Sequence, residues 1–177
     1  RVQSRFYGEK GKFSYQAALY FQRQDYFKLD ERIKGGDYQR FDVKSHRDDW
    51  GAIMHLRLEG RHNAFALGGE FKNGSIDGGD HYVTSTDEVL NKGPIRILSV
   101  FAQDELSLFN KKIWLQVALR YDNAYFHKGW FEANGENVSD FNTYNGKLKN
   151  NRWEHLSPRV ALRYNPTRAI SAYISYS

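Results

Sequence analysis

The sequence predicts an all-β chain: an antiparallel up-and-down sheet of about eight strands, built as a segment of a transmembrane β-barrel. Three observations predict it. Apolar and polar residues alternate with period two along most of the chain. Short, turn-rich connections alternate with long polar stretches. Aromatic residues reach 16% although the mean hydropathy is −0.74, so the rings must face something apolar that the chain does not itself supply.

Composition excludes several classes. No apolar run approaches the ~20 residues a membrane-spanning helix needs. The absence of cysteine excludes a disulfide framework and a thiol nucleophile. Three prolines against 15 glycines exclude collagen-like and proline-rich chains. The chain opens at Arg1 and ends strand-like at Ser175-Tyr176-Ser177, so residues 1–177 are expected to form a partial barrel domain of a longer protein.

The strands follow in order. After a segment preceding Gly8, Phe13, Tyr15, Ala17, Leu19 and Phe21 alternate with Ser14, Gln16, Ala18, Tyr20 and Gln22. Trp50, Ala52, Met54, Leu56 and Leu58 form the next apolar row, then Phe65, Leu67, Gly69 and Phe71. Ile97 to Leu108 is less regular, because Asp104 shares the parity of Leu98, Val100 and Leu106. Ile113, Leu115, Val117, Leu119 and Tyr121 alternate cleanly, as do Leu156, Pro158, Val160, Leu162 and Tyr164; Ile170, Ala172, Ile174 and Tyr176 close the series. No stretch holds a helical period.

The connections Gly8–Gly11, Gly60–Asn63, Asn110–Lys112 and Asn165–Arg168 are short and rich in turn formers. Asp30–Asp49, Asn73–Arg96 and Asn123–Arg152 read as long polar loops. Strict alternation of the two kinds puts all long loops at one end, as in outer-membrane barrels. A soluble β-sandwich also has strands with one apolar face. Strand length, aromatics at the ends of the apolar rows (Phe13, Trp50, Phe71, Tyr121, Tyr164) and a second face bearing Arg57, Glu70, Arg120, Asp122, Arg159 and Arg163 favour lipid.

Val100-Phe101-Ala102-Gln103-Asp104-Glu105-Leu106, a turn, and Ile113 to Asp122 ending Ala118-Leu119-Arg120-Tyr121-Asp122 together resemble a hairpin of TonB-dependent outer-membrane receptors. Ala118 stands where that family usually has glycine. Trp153 to Asn165, with Ser157-Pro158-Arg159, is similar to the family's next strand, and Thr167 to Ser177 to the one after; Leu67-Gly68-Gly69-Glu70-Phe71 is similar to an upstream strand. The resemblance is specific from about Phe65 onward. It implies a 22-stranded barrel enclosing an N-terminal plug. It also implies import of a scarce ligand, such as a ferric siderophore, haem, vitamin B12 or a glycan, energised by a TonB complex. This chain would supply a central section of that barrel, without the plug or the closing strand, in a bacterial outer membrane. Two alternatives stay open: a complete small eight-stranded outer-membrane barrel, and a soluble β-sheet carbohydrate-binding module.

No catalytic, cofactor or metal motif emerges. His46 lies near Asp48 and Asp49, and His81 near Asp77 and Asp80, without zinc spacing; Asp77-Gly78-Gly79-Asp80 offers too few oxygens for calcium. No nucleophile elbow or phosphate loop is present, so a transporter is expected and not an enzyme. Asn137-Val138-Ser139 is a glycosylation sequon without meaning in a bacterial outer membrane. The net charge is +5, but Lys and Arg are spread over strands and turns instead of forming a nucleic-acid patch. The expected partners are outer-membrane lipid, a small-molecule ligand and the TonB complex. Ligand candidates are the aromatics of the polar stretches, Tyr38, Phe41, Tyr82, Tyr125, Phe126, Trp130, Phe131, Phe141 and Tyr144, which suit stacking on flat or sugar-like ligands. Arg120 on the inner wall joins them, with Arg159 and Arg163 further along.

Overall fold

In the computed structural model, which describes residues 1–167 and 169–177 and omits the side chains of 140–142, nearly every strand neighbours the next in sequence. The strands are β1 (Val2–Lys10), β2 (Phe13–Lys34), β3 (Asp37–Glu59), β4 (Asn63–Tyr82), β5 (Glu88–Leu108), β6 (Ile113–Phe126), β7 (Trp130–Asn134), β8 (Gly146–Lys147), β9 (Asn151–Tyr164) and β10 (Ala172–Tyr176), with a 3₁₀ segment over Ser139–Tyr144. The main path runs β1-β2-β3-β4-β5-β6-β9-β10, eight strands, while β7 adds onto β5 and carries β8. All pairings are antiparallel. β1 and β10 are the two edges and do not pair with each other, so the sheet is open and is not a small closed barrel.

The predicted parity holds across the sheet. Val2, Phe21, Trp50 and Asn73 form one cross-strand row; Phe6, Ala17, Met54, Gly69 and Val100 form another. The rows place all the predicted apolar sets, from Phe13–Phe21 to Ala172–Tyr176, on one face. Met54 stays 51% exposed and Leu67 and Val100 47% each, so this face has no protein covering it. Buried apolar residues are few among those described: the small Ala18, Ala64, Ala133 and Ala161, together with Phe41 and Val138 beyond the apolar band. A two-faced sheet with its large side chains uncovered is what a membrane wall needs and what a soluble domain avoids.

Asp104, the irregular residue, lies on the apolar face opposite Phe65 and Val117. It sits near the short turns, where Asn63 Nδ2 donates to it at 3.3 Å. Both strand prolines avoid a ladder requirement. Pro158 lies beyond Val160–Tyr164, the part of β9 that β10 pairs. Pro94 falls between the β5 residues paired to β7 (Glu88–Lys92) and to β6 (Ile95–Leu108).

The long polar stretches differ most from expectation. Asp30–Asp49 is not a loop: β2 and β3 pair without a break from Phe13–Leu58 to Lys34–Asp37. They are joined by Gly35 and Gly36 at φ 65° and 96°, the positive values a two-residue hairpin turn requires. Asn73–Arg96 is likewise mostly β4 and β5, with only 83–87 outside strands. Only the third stretch holds a substantial non-strand segment, between β7 and β9.

Candidate functional site

The face opposite the apolar one is polar and carries two side-chain clusters. In the middle of the wall, Arg120 Nε bonds Asp122 at 2.9 and 3.0 Å, and its Nη2 lies 3.6 Å from Glu70. Ser99, fully buried, donates its hydroxyl to Asp122. β6 places Arg120 and Asp122 two residues apart on one face, and the register brings Ser99 opposite Asp122. Arg120, a ligand candidate from sequence, is therefore engaged by the wall's own carboxylates. Arg57 reaches Glu105 at 3.4 Å, and Arg163 lies 5.5 Å over the Trp114 ring. Near the short turns, a concavity of about 770 Å³ on this face is lined by Arg5, Tyr7, His55, Arg57 and Phe101 among others.

The second cluster lies beyond the apolar band, where β2, β3 and β4 run past the aromatic rows. Phe41 and Tyr82 pair across β3 and β4, with ring centroids 5.0 Å apart and nearly parallel. The Arg32 guanidinium lies 5.1 Å from the Phe41 centroid and 5.7 Å from that of Tyr82. Its Nε donates to Gln39 at 2.9 Å and its Nη2 to the Tyr82 hydroxyl at 2.7 Å. These contacts fix the planar cation over an aromatic pair. Asp80, on the same face, has its carboxyl pushed above its ordinary pKa by burial, with Arg32 opposing and Asp30 adding. The result is an exposed, donor-edged guanidinium seated on a buried Phe41 and a half-buried Tyr82.

The register does not gather the other sequence candidates there. Phe131 takes a polar-face position opposite Asn91. Tyr38, Tyr125 and Trp130 fall on the parity of the apolar face, opposite Ile33, Arg96 and Lys92. The Phe126 ring sits where any side chain at Gly93 or Gly129 would go. Tyr144 is exposed at the end of the 3₁₀ segment, and the Phe141 side chain lies outside the described residues. Arg32 was not singled out from sequence. Its signal was the continued alternation of Phe27, Leu29 and Ile33 with Lys28, Asp30 and Arg32.

The long polar stretches are tied down by their own polar groups. Asp87, buried, accepts from Ser85 Oγ, Asn137 N and Asn137 Nδ2, linking the β4–β5 turn to the segment after β7. Burial works to raise the Asp87 pKa, and the hydrogen bonds from Ser85 and Asn137 outweigh it and hold the carboxyl below its ordinary value. Asn137, the sequon residue, thus has a structural role. His46 bridges Asp25 and Asp48, and His81 Nδ1 lies 2.7 Å from Glu88.

One uncovered face with a broad apolar band, one polar face cross-linked by ion pairs, and up-and-down strands define a transmembrane β-barrel wall. The family described as "TonB dependent receptor-like, beta-barrel" matches residues 1–177, and the chain belongs to it. Members are outer-membrane receptors that transport and do not catalyse. Among solved structures, the chain is similar to the ferric yersiniabactin uptake receptor FyuA from Yersinia pestis, with TM-score 0.71 and 8% identity over 96% of this chain. At that identity the likeness concerns the fold. The chain spans 26% of that receptor. No curated relative matches the sequence.

Proposed function

We propose that this chain is a central wall segment of an outer-membrane TonB-dependent receptor that imports a small, scarce ligand of the ferric-siderophore type. The observation that carries the reading is the Arg32–Phe41–Tyr82 cluster on the polar face, beyond the apolar band. An exposed guanidinium held over the buried Phe41 and half-buried Tyr82 rings offers its own planar face and outward N–H donors together. That combination suits a ligand with aromatic rings and anionic oxygens. Arg120, at mid-height on the polar face, is paired with Asp122 and Glu70, which suits a role in holding the strands together. Energy from a TonB complex and the plug that would fill the lumen follow from the family and belong to the same proposal.

The test uses the intact receptor. Arg32→Ala and Tyr82→Ala should lower uptake of radio-iron from catecholate or phenolate siderophores by about tenfold or more, through affinity. The expected loss corresponds to one charge-assisted hydrogen bond and one aromatic contact. Unchanged uptake in both variants, with normal receptor levels in the membrane, refutes the assignment of this cluster.

A further inference from the structure

One cross-strand row of the apolar face runs Phe21, Trp50, Asn73, Arg96, Tyr125, Arg152. It begins as the aromatic margin of the apolar band on β2 and β3 and becomes cationic on β5 and β9, on either side of Tyr125. The Arg152 guanidinium lies 5.4 Å over the Tyr125 ring, and Tyr125 stacks on His127 at 5.1 Å and 22°. Arg96 holds Asn73 through Nε alone, at 3.4 Å. Lys128 follows His127 at the end of β6. Burial first, then the positive charges of Arg96 and Lys128, hold His127 below its ordinary pKa.

This patch lacks carboxylate partners. On the same parity past the aromatic margin, Arg23 is paired with Asp48 at 2.9 Å and Lys44 with Asp42 at 3.9 Å. Arg40 and Lys92 also stand outside any ion pair among the described residues, but neither belongs to an exposed arginine pair flanking a tyrosine. Among the described residues, Arg96, Lys128 and Arg152 form no ion pair within 4 Å. Glu154, two residues from Arg152 on the same face of β9, accepts from Asn123 Nδ2 instead. Arg96 and Arg152 are both exposed and stand two strands apart, about 10 Å between Cα atoms. Below them, Val100, Tyr121 and Leu156 open the apolar band in the next row but one.

We propose that Arg96 and Arg152, flanking Tyr125, form a binding site for the phosphate-bearing headgroup of a glycolipid of the outer leaflet, whose acyl chains lie on the apolar rows beneath. The proposal rests on the membrane reading above. Guanidinium groups with free N–H edges match phosphate oxygens, and Tyr125 with its aromatic hydroxyl fits the interface between chains and headgroups. A soluble anion would have no reason to seek a site continuous with a lipid-facing band. Charge of one sign at the margin of that band complements an anionic leaflet.

The intact receptor, purified and delipidated in detergent, is tested by native mass spectrometry with bisphosphorylated lipid A. Wild type and Arg23→Gln should retain lipid A alike, because Arg23 is already paired. The double variant Arg96→Gln, Arg152→Gln should bind at least tenfold more weakly, and lipid A stripped of phosphate should bind wild type as weakly. Equal retention by the double variant overturns the proposal. Displacement of lipid A by millimolar inorganic phosphate also overturns it, in favour of a free-anion site. Heat-modifiable mobility is checked for every protein: a wild type without it refutes the membrane reading, whereas a heat-modifiable double variant that keeps lipid A refutes only the patch.

Discussion

Met54 is the cleanest probe of which face meets lipid. It lies on the apolar face four residues from Trp50 and four from Leu58, the two ends of its apolar row. At ~3.3 Å per residue and a strand tilt of ~40°, it sits about 10 Å from either margin, close to the midplane of a ~25 Å band. Its cross-strand neighbours are Ala17 and Gly69, so an arginine introduced there meets no carboxylate. Met54→Arg should therefore cost about 2–4 kcal/mol. Val117 is a poorer probe because it faces Asp104, which would pair with the new cation and blunt the effect. The control is Ile53→Arg, one residue away on the polar face opposite Glu70, with an expected cost of about 0.5 kcal/mol or less. Guanidinium unfolding of the intact receptor from lipid vesicles measures both, with the slope m unchanged if only stability moves. If Ile53→Arg proves the more damaging change, the facing of the entire sheet is inverted.

The remaining predictions concern topology and the polar extensions. Cysteines at Asp37 and Tyr144 should label on intact cells and one at Lys111 only after permeabilisation; early labelling of Lys111 would reverse the orientation. Asp25 first and Asp48 next raise the His46 pKa above its ordinary 6.5, so the stability His46 adds is complete below 6.5 and lost as pH rises through the raised value. Hydrogen exchange in β2 and β3 near Asp25 and Asp48 should accelerate over that range, and the acceleration should vanish in His46→Gln. The Asp87 carboxyl is held below its ordinary 3.8, so its contribution is present above 3.8 and lost as pH falls through the lowered value. Asp87→Ala should leave Asn137 without its partner, at a cost of about 1–3 kcal/mol, and speed protease cleavage after β7 at neutral pH.

Period two was legible because each strand keeps one side chain in two against lipid, and lipid tolerates no charge at mid-depth. Past the aromatic margins that constraint ends, and charged residues such as Arg23, Asp25 and Lys44 occupy the outward parity while the strands continue. Polar composition there reads as loop although Phe27, Leu29 and Ile33 still alternate. The hairpin turn at Gly35-Gly36 was visible in sequence and was the feature that should have overruled composition. The cluster of Arg32, Phe41 and Tyr82 was harder to see. Arg32 and Tyr82 are fifty residues apart, and only the paired registers of β2, β3 and β4 bring them together. Register likewise separates Tyr82 from Tyr38, Tyr125 and Trp130, which composition treats as equivalent.

A single geometric fact, unbroken register, assigns three roles to one sheet. A slip of one residue in any pairing would move the apolar row of that strand to the polar face and its charges into lipid. From Phe13 to Lys34, β2 pairs β3 residue for residue, so parity set in the membrane persists to the hairpin tip. The parity that gives Phe21 and Trp50 to the aromatic margin gives Arg96 and Arg152 to the headgroup level, and the opposite parity aims Arg32 and Tyr82 at the lumen. The same antiparallel ladder leaves the outer edges of β1 and β10 unpaired. In hydrocarbon each orphan N–H or C=O costs several kcal/mol, far more than any side-chain contact described above. Pairing of both edges is therefore the strongest energetic requirement of this wall, and the larger barrel that the family resemblance implies would meet it without bending the sheet to the tight curvature of a small one.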